Sequence, residues 1–180
     1  MQSMPNQQPQ PTLQQRRMLM IVVWLALVMG VVTVGVVISI LSQGEKPDSG
    51  LPIIVYLGMG VTALMLVLRM IIPNLVARNQ FIQAMQVAQT EGNQDEEQML
   101  GKFYQIYTTR LILGMAMLEG AAMLNLIAVL IEQQKVAYIP VAILLLVMIA
   151  SIPTKSKLDE WIRNQMENYN LENQNSNFKN

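Results

Sequence analysis

The chain is written in long apolar runs separated by short polar connections. Met18 to Leu41 carries no charge over about 24 residues, more than the ~20 a helix needs to cross a bilayer. Leu51 to Ile72 follows, with one internal charge, Arg69, and with Pro52 at its start and Pro73 at its end. Proline suits a first helical turn and stops a run, so the second helix is expected to end at Pro73. Leu111 to Ile131 is the third run and holds Glu119 near its middle. Val136 to Ile152 is the fourth, at the short end for a span, with Pro140 in its first turn or so. The fold class expected is all-α: a four-helix transmembrane bundle with spans at about 18–41, 51–72, 111–131 and 136–152.

Between the second and third runs the period changes. Leu75, Phe81, Ile82, Met85 and Ala88 recur at helical spacing, Gly92 fits a stop, and Asn93 or Asp95 fits the cap of a new helix. Met99, Phe103, Ile106 and Tyr107 carry the stripe into the third run. This predicts one long helix from about Gln94 to Gln133 and a helical hairpin over 74–110. After Pro153, Thr154 or Ser156 can cap a last helix over 153–169, with Ser156 and Asp159 at capping-box spacing. Leu158, Trp161, Ile162, Gln165, Met166 and Tyr169 share one face of it. That face either packs on the hairpin or lies in the membrane interface with Trp161 at headgroup depth. The Gln/Pro-rich segment 1–17 and the Asn-rich segment 170–180 bury too little apolar surface to offset ordering and are expected to be disordered.

Composition sharpens this picture. Of 180 residues, 52% are hydrophobic and 13% charged, with mean hydropathy +0.34, where a soluble domain has roughly a quarter charged residues. A polytopic membrane protein accounts for the deficit. Arg16 and Arg17 before the first run resemble the start of a signal peptide, but a cleavable h-region is only about 7–15 residues, so a retained anchor is expected. Charge then orients the spans. Arg16, Arg17, Arg69, Arg78, Lys102, Arg110, Lys155, Lys157, Arg163 and Lys179 fall on one side; Lys46 and Lys135 fall on the other. The positive side faces the cytoplasm, so both termini and the hairpin are placed there. With zero net charge there is no bulk attraction to nucleic acid.

Candidate chemistry is sparse. The chain has no cysteine and no histidine, which removes thiolate sites, disulfides and imidazole ligation. Fifteen methionines are scattered through the spans and read as core filling, not as a copper site. No nucleophile–base pair, phosphate loop or metal spacing is present, so no catalytic residue, metal or cofactor is assigned. What remains is intramembrane polarity. Glu119 is roughly 12 Å deep and Arg69 about 5 Å deep from the same side. An isolated acid at mid-span costs about 2.5–3.5 kcal/mol on insertion scales. Glu119 is therefore expected to pair with Arg69, to hold its proton in a hydrogen bond to a neighbour, or to carry an ion. Asn125 is a second polar group, about 240° around the helix from Glu119, and should bond a different neighbour. Ala116/Gly120, Ala26/Gly30 and Gly58/Thr62 have small-xxx-small spacing and suggest packing faces.

Two resemblances follow from these residues. Leu118 to Ala122, Asn125 to Ala128, and Pro153, Thr154 and Trp161 resemble a pattern in small four-span membrane proteins of planctomycete-type bacteria, which implies topology and brings no activity. The stretch from Glu119 to Ile131 resembles the carboxylate-bearing helix of rotary ATPase proteolipids. That likeness would make Glu119 a proton or sodium carrier, although Asn125 stands where the proteolipid pattern has glycine and the connection between spans is far longer. The leading expectation is a non-enzymatic scaffold or accessory subunit that offers its cytoplasmic helices to a protein partner or to a second copy. The alternative is proton or cation translocation at Glu119.

The charge split generates a direct test. Cysteines placed at Ser49 and Gln134 are expected to react with an impermeant thiol reagent in intact cells, and one at Gln94 is not. Labelling at Gln94 alone would reverse the whole orientation.

Overall fold

The structure is a computed structural model that describes residues 13–42, 52–91 and 96–177. Gly92, Asn93 and Asp95, expected to separate the hairpin helices, lie outside the described residues, as do 1–12, 43–51 and 178–180. Every element among the described residues is helical: α1 (Leu13–Leu41), α2 (Ile53–Glu91), α3 (Glu96–Glu132), a 3-10 turn (Lys135–Ala137), α4 (Tyr138–Ala150) and α5 (Lys155–Asn177). Three of them are long and apolar enough to cross a membrane. The count rises to four only if α4 with its 3-10 lead is taken with α5, from which it is bent by 80°.

The helices differ from the sequence reading in four places. Pro73 does not end α2, which runs unbroken for 39 residues. Proline removes one backbone donor and crowds the preceding turn, but helices of this kind tolerate it when neighbouring groups serve the freed carbonyls. One residue on, the Asn74 side-chain amide donates to the Met70 carbonyl at 2.6 Å, an added bond within the same turn. The Pro73 ring is itself buried. α4 has only 13 residues, so at 1.5 Å each it is roughly 20 Å long, well under the ~30 Å of a hydrocarbon core. α1 begins at Leu13, inside the segment expected to be disordered, and Arg16 anchors it through a hydrogen bond to the Gly101 carbonyl at 2.9 Å. α5 continues through 170–177 because extending a helix already nucleated costs little per residue. Its start follows Thr154, whose hydroxyl sits 3.4 Å from the Lys157 amide, so Ser156 lies inside the helix and not at its cap.

α3 is the hub and touches every other helix. Ala121, Ala122 and Ala128 are fully buried along it, and small residues let helix backbones approach closely. Around it lies a bundle core that includes Val31, Val55, Met115, Leu118, Leu126, Leu144 and Met148. The outer faces of α1, α2 and α4 stay apolar, with Val22, Leu25, Val36, Ile40, Leu57, Leu64 and Leu146 all at least half exposed. Apolar exposure on this scale is what a bilayer covers.

A second core stands at the end of the bundle that carries the arginines. Met20, Ala77, Phe81, Phe103, Ile106, Tyr107, Leu158 and Trp161 form it, drawn from α1, α2, α3 and α5. Phe81 stacks on Phe103 with centroids 4.9 Å apart, and Trp161 meets Phe81 edge-on at 6.2 Å and Tyr107 at 5.6 Å. The apolar face of α5 is thus spent on the hairpin. Trp161 is 7% exposed, its ring held within this cluster.

At the opposite end, α3 finishes on Glu132, and its carboxylate accepts the amides of Ile54 at 2.7 Å and Val55 at 2.9 Å. These are orphan donors of the first turn of α2, which a side chain of its own normally caps. Glu132→Ala is expected to lower the thermal midpoint in detergent, by the equivalent of about 1–2 kcal/mol typical of a lost cap. The exposed Glu160→Ala should leave it unchanged. Equal midpoints for the two variants would remove Glu132 from the account of stability.

Candidate functional site

The polar groups inside the bundle belong to three separate places. Asn125, fully buried on α3, donates its amide to the Thr62 hydroxyl at 2.8 Å, to the Gly58 carbonyl at 3.3 Å and to its own Ala121 carbonyl at 2.8 Å. Gly58 and Thr62, one turn apart on α2, therefore share one partner, and the Thr62 hydroxyl in turn donates to the Gly58 carbonyl at 2.9 Å. The Asn125 side-chain carbonyl oxygen has no hydrogen-bond partner among the described residues and rests against the bare face of Gly58, where a Cβ would stand only 2.6 Å from it. Glycine at 58 is what lets the asparagine in.

Glu119 lies on a different face. Its carboxylate points to α1, where a Cβ on Gly30 would be 3.4 Å from Oε1. It is half-buried, and no hydrogen bond or ion pair to it is found among the described residues.

Arg69 does not reach it. Its side chain lies against Gly114, whose would-be Cβ stands 3.6 Å from Arg69 Cγ and Nε, and its guanidinium donates to the Ser151 hydroxyl at the end of α4. The expected Arg69–Glu119 pair is therefore corrected. Gly114 and Glu119 are five residues apart, which separates them by about 7.5 Å along α3 and about 140° around it. An arginine packed beside Gly114 faces away from Glu119. Its long side chain extends toward the charged end of the bundle, as basic side chains near the ends of apolar helices do.

Sequence reasoning found Asn125 and Glu119 as odd polar residues in an apolar run, but missed Glu132 and Ser151. Glu132 reads as part of a polar loop. Its signal was the need for acceptors at the start of α2, where Ile53, Ile54 and Val55 offer no side-chain cap. Ser151 carried no signal beyond its place between Ala150 and Pro153.

Two outcomes follow. Gly58→Ala should destabilise the bundle by ~1–3 kcal/mol, because the intruding methyl meets a buried, hydrogen-bonded amide. Gly60→Ala, with nothing within 4 Å of its would-be Cβ, should be neutral or slightly stabilising in the same melting assay. Separately, the losses caused by Arg69→Gln and Glu119→Gln should add in the double variant to within about 0.5 kcal/mol, as for groups without a shared partner. A coupling well above that would restore the pair.

Compared with protein-family models, with curated proteins and with solved structures, the chain matches none.

Proposed function

We propose that the chain is a multi-pass protein of a bacterial inner membrane, with both termini cytoplasmic, that acts as a non-enzymatic scaffold or accessory subunit. The observation that carries this reading is the second core. At 39 and 37 residues, α2 and α3 are roughly 55–60 Å long, nearly twice the hydrocarbon thickness. Their excess length is built into a closed helical platform by the Phe81, Phe103, Tyr107 and Trp161 cluster. A platform held by its own aromatic core presents a defined surface to a partner, whereas a mere connection between spans needs only a few residues. The ten-to-two distribution of Lys and Arg supports a cytoplasmic location for that platform.

Photo-crosslinking side chains at the exposed positions Gln83, Asn164 and Glu167 test this in intact membranes. The reading expects one discrete adduct shared by α2 and α5 positions, either with a second copy or with another protein. No adduct from any of them would sink it.

A second reading, proton or cation translocation, draws on the unpartnered Glu119 carboxylate beside Gly30. A hydrophobic carbodiimide, which attacks the protonated carboxyl, would then modify Glu119 in a pH-dependent way, with protection by sodium if sodium is the cargo. Modification that ignores both pH and sodium removes this reading.

A further inference from the structure

Arg69 of α2, Arg110 of α3 and Lys157 of α5 line one cavity of about 230 Å³, together with Tyr107, Pro73 and Ser151. A single water occupies about 30 Å³ of liquid, so the space admits a polyatomic guest. All three cations are held by neutral acceptors. Arg69 donates to the Ser151 hydroxyl, which donates onward to the Val147 carbonyl. Arg110 Nε donates to Asn74 Oδ1 at 2.8 Å, and its guanidinium carbon lies 5.9 Å from the Tyr107 ring centre. Lys157 Nζ donates to the carbonyls of Ala150 at 2.8 Å and Ile152 at 3.4 Å.

No carboxylate pairs with any of the three among the described residues. A guanidinium has five N–H donors, and each arginine commits one to fixing its own orientation. Like charges gathered at a cavity repel one another, and an anion with several oxygens relieves that repulsion while taking the spare donors. The cavity also sits where apolar surface resumes. Met70 and Ile71 follow Arg69, Ile149 and Ile152 flank Ser151, and all four are exposed.

We propose that Arg69, Arg110 and Lys157 form a binding site for a phosphate group, as carried by an anionic phospholipid or by free phosphate. In the lipid case the acyl chains run over Met70, Ile71, Ile149 and Ile152 while the phosphate occupies the basic cavity. Two arginine forks and one ammonium from three helices would then make the bound phosphate a clip between α2, α3 and α5.

The test uses the full chain, delipidated in mild neutral detergent. Binding is followed by native mass spectrometry and by the shift in melting midpoint. Phosphatidylglycerol, phosphatidylcholine and inorganic phosphate are titrated in separate arms. A midpoint rise with phosphatidylglycerol but not with phosphate or phosphatidylcholine assigns the site to an anionic lipid. A rise with phosphate as well assigns it to the phosphate group itself. Lys157→Gln, at an exposed position on the first turn of α5, should weaken binding roughly tenfold or more, and Arg110→Gln should do likewise. Arg163→Gln, at an exposed position that does not line the cavity, should bind as the parent does. Absence of binding in both anionic arms, or undiminished binding by Lys157→Gln together with Arg110→Gln, would overturn the proposal.

Discussion

The packing of α2 against α3 is the constraint on which the other contacts rest, and Glu132 sets its starting point. A carboxylate at the last residue of α3 holds two amides in the first turn of α2. From there the antiparallel register is kept to the far end. Gly58 meets Asn125, Arg69 meets Gly114, Asn74 meets Arg110 and Phe81 meets Phe103, each step forward on α2 matched by a similar step back on α3. Shifting that register by one residue would turn a helix by about 100° and break all of these contacts together. Lipid offers no hydrophobic drive to bring helices together, so close packing and polar contacts must specify the alignment.

The two kinds of register contact act differently. Asn125 with Gly58 and Thr62 is buried and local: it requires a missing side chain on one helix and a buried amide on the other. Glu132 with Ile54 and Val55 works at a helix end, where backbone donors need an acceptor wherever the chain comes from. Aromatic stacking at the opposite end is less directional and fills volume. α1 joins through Trp24, whose indole donates to the Met148 carbonyl at 2.9 Å, and through Arg16 at Gly101.

Much of this was legible in the sequence, because apolar run length dictates helix existence. The expected long helix of about 94–133 and α3 at Glu96–Glu132 differ by two residues or fewer at either end. The hairpin faces were readable from Phe81, Phe103 and Tyr107 at helical spacing. What could not be read was rotation and reach. Hydropathy places Arg69 and Glu119 at depths but says nothing of the angle around α3 that separates Gly114 from Glu119. Proline at 73 reads as a stop because it lacks a backbone donor, yet α2 runs through it with the ring buried, so tertiary packing outweighs the local rule. Gln133 shows the same limit: it takes a positive φ of 54° to turn the chain after α3, where glycine or asparagine would be the usual choice.

The division into two cores also divides the chain's native fluorophores. There are two tryptophans in the sequence, one associated with each core. Trp24 packs against the bundle core, in the middle of an apolar run, and its indole is tied to α4. Trp161 sits in the aromatic cluster, where α5 closes over the hairpin. Cooperative units within one protein can open at different free energies. In the proposed membrane placement, lipid or detergent shelters the bundle, while the end cluster depends on water-driven burial. A denaturant acting from the aqueous phase thus finds two spectroscopically distinct melting reporters, and the emission of one tryptophan can change while that of the other is still native.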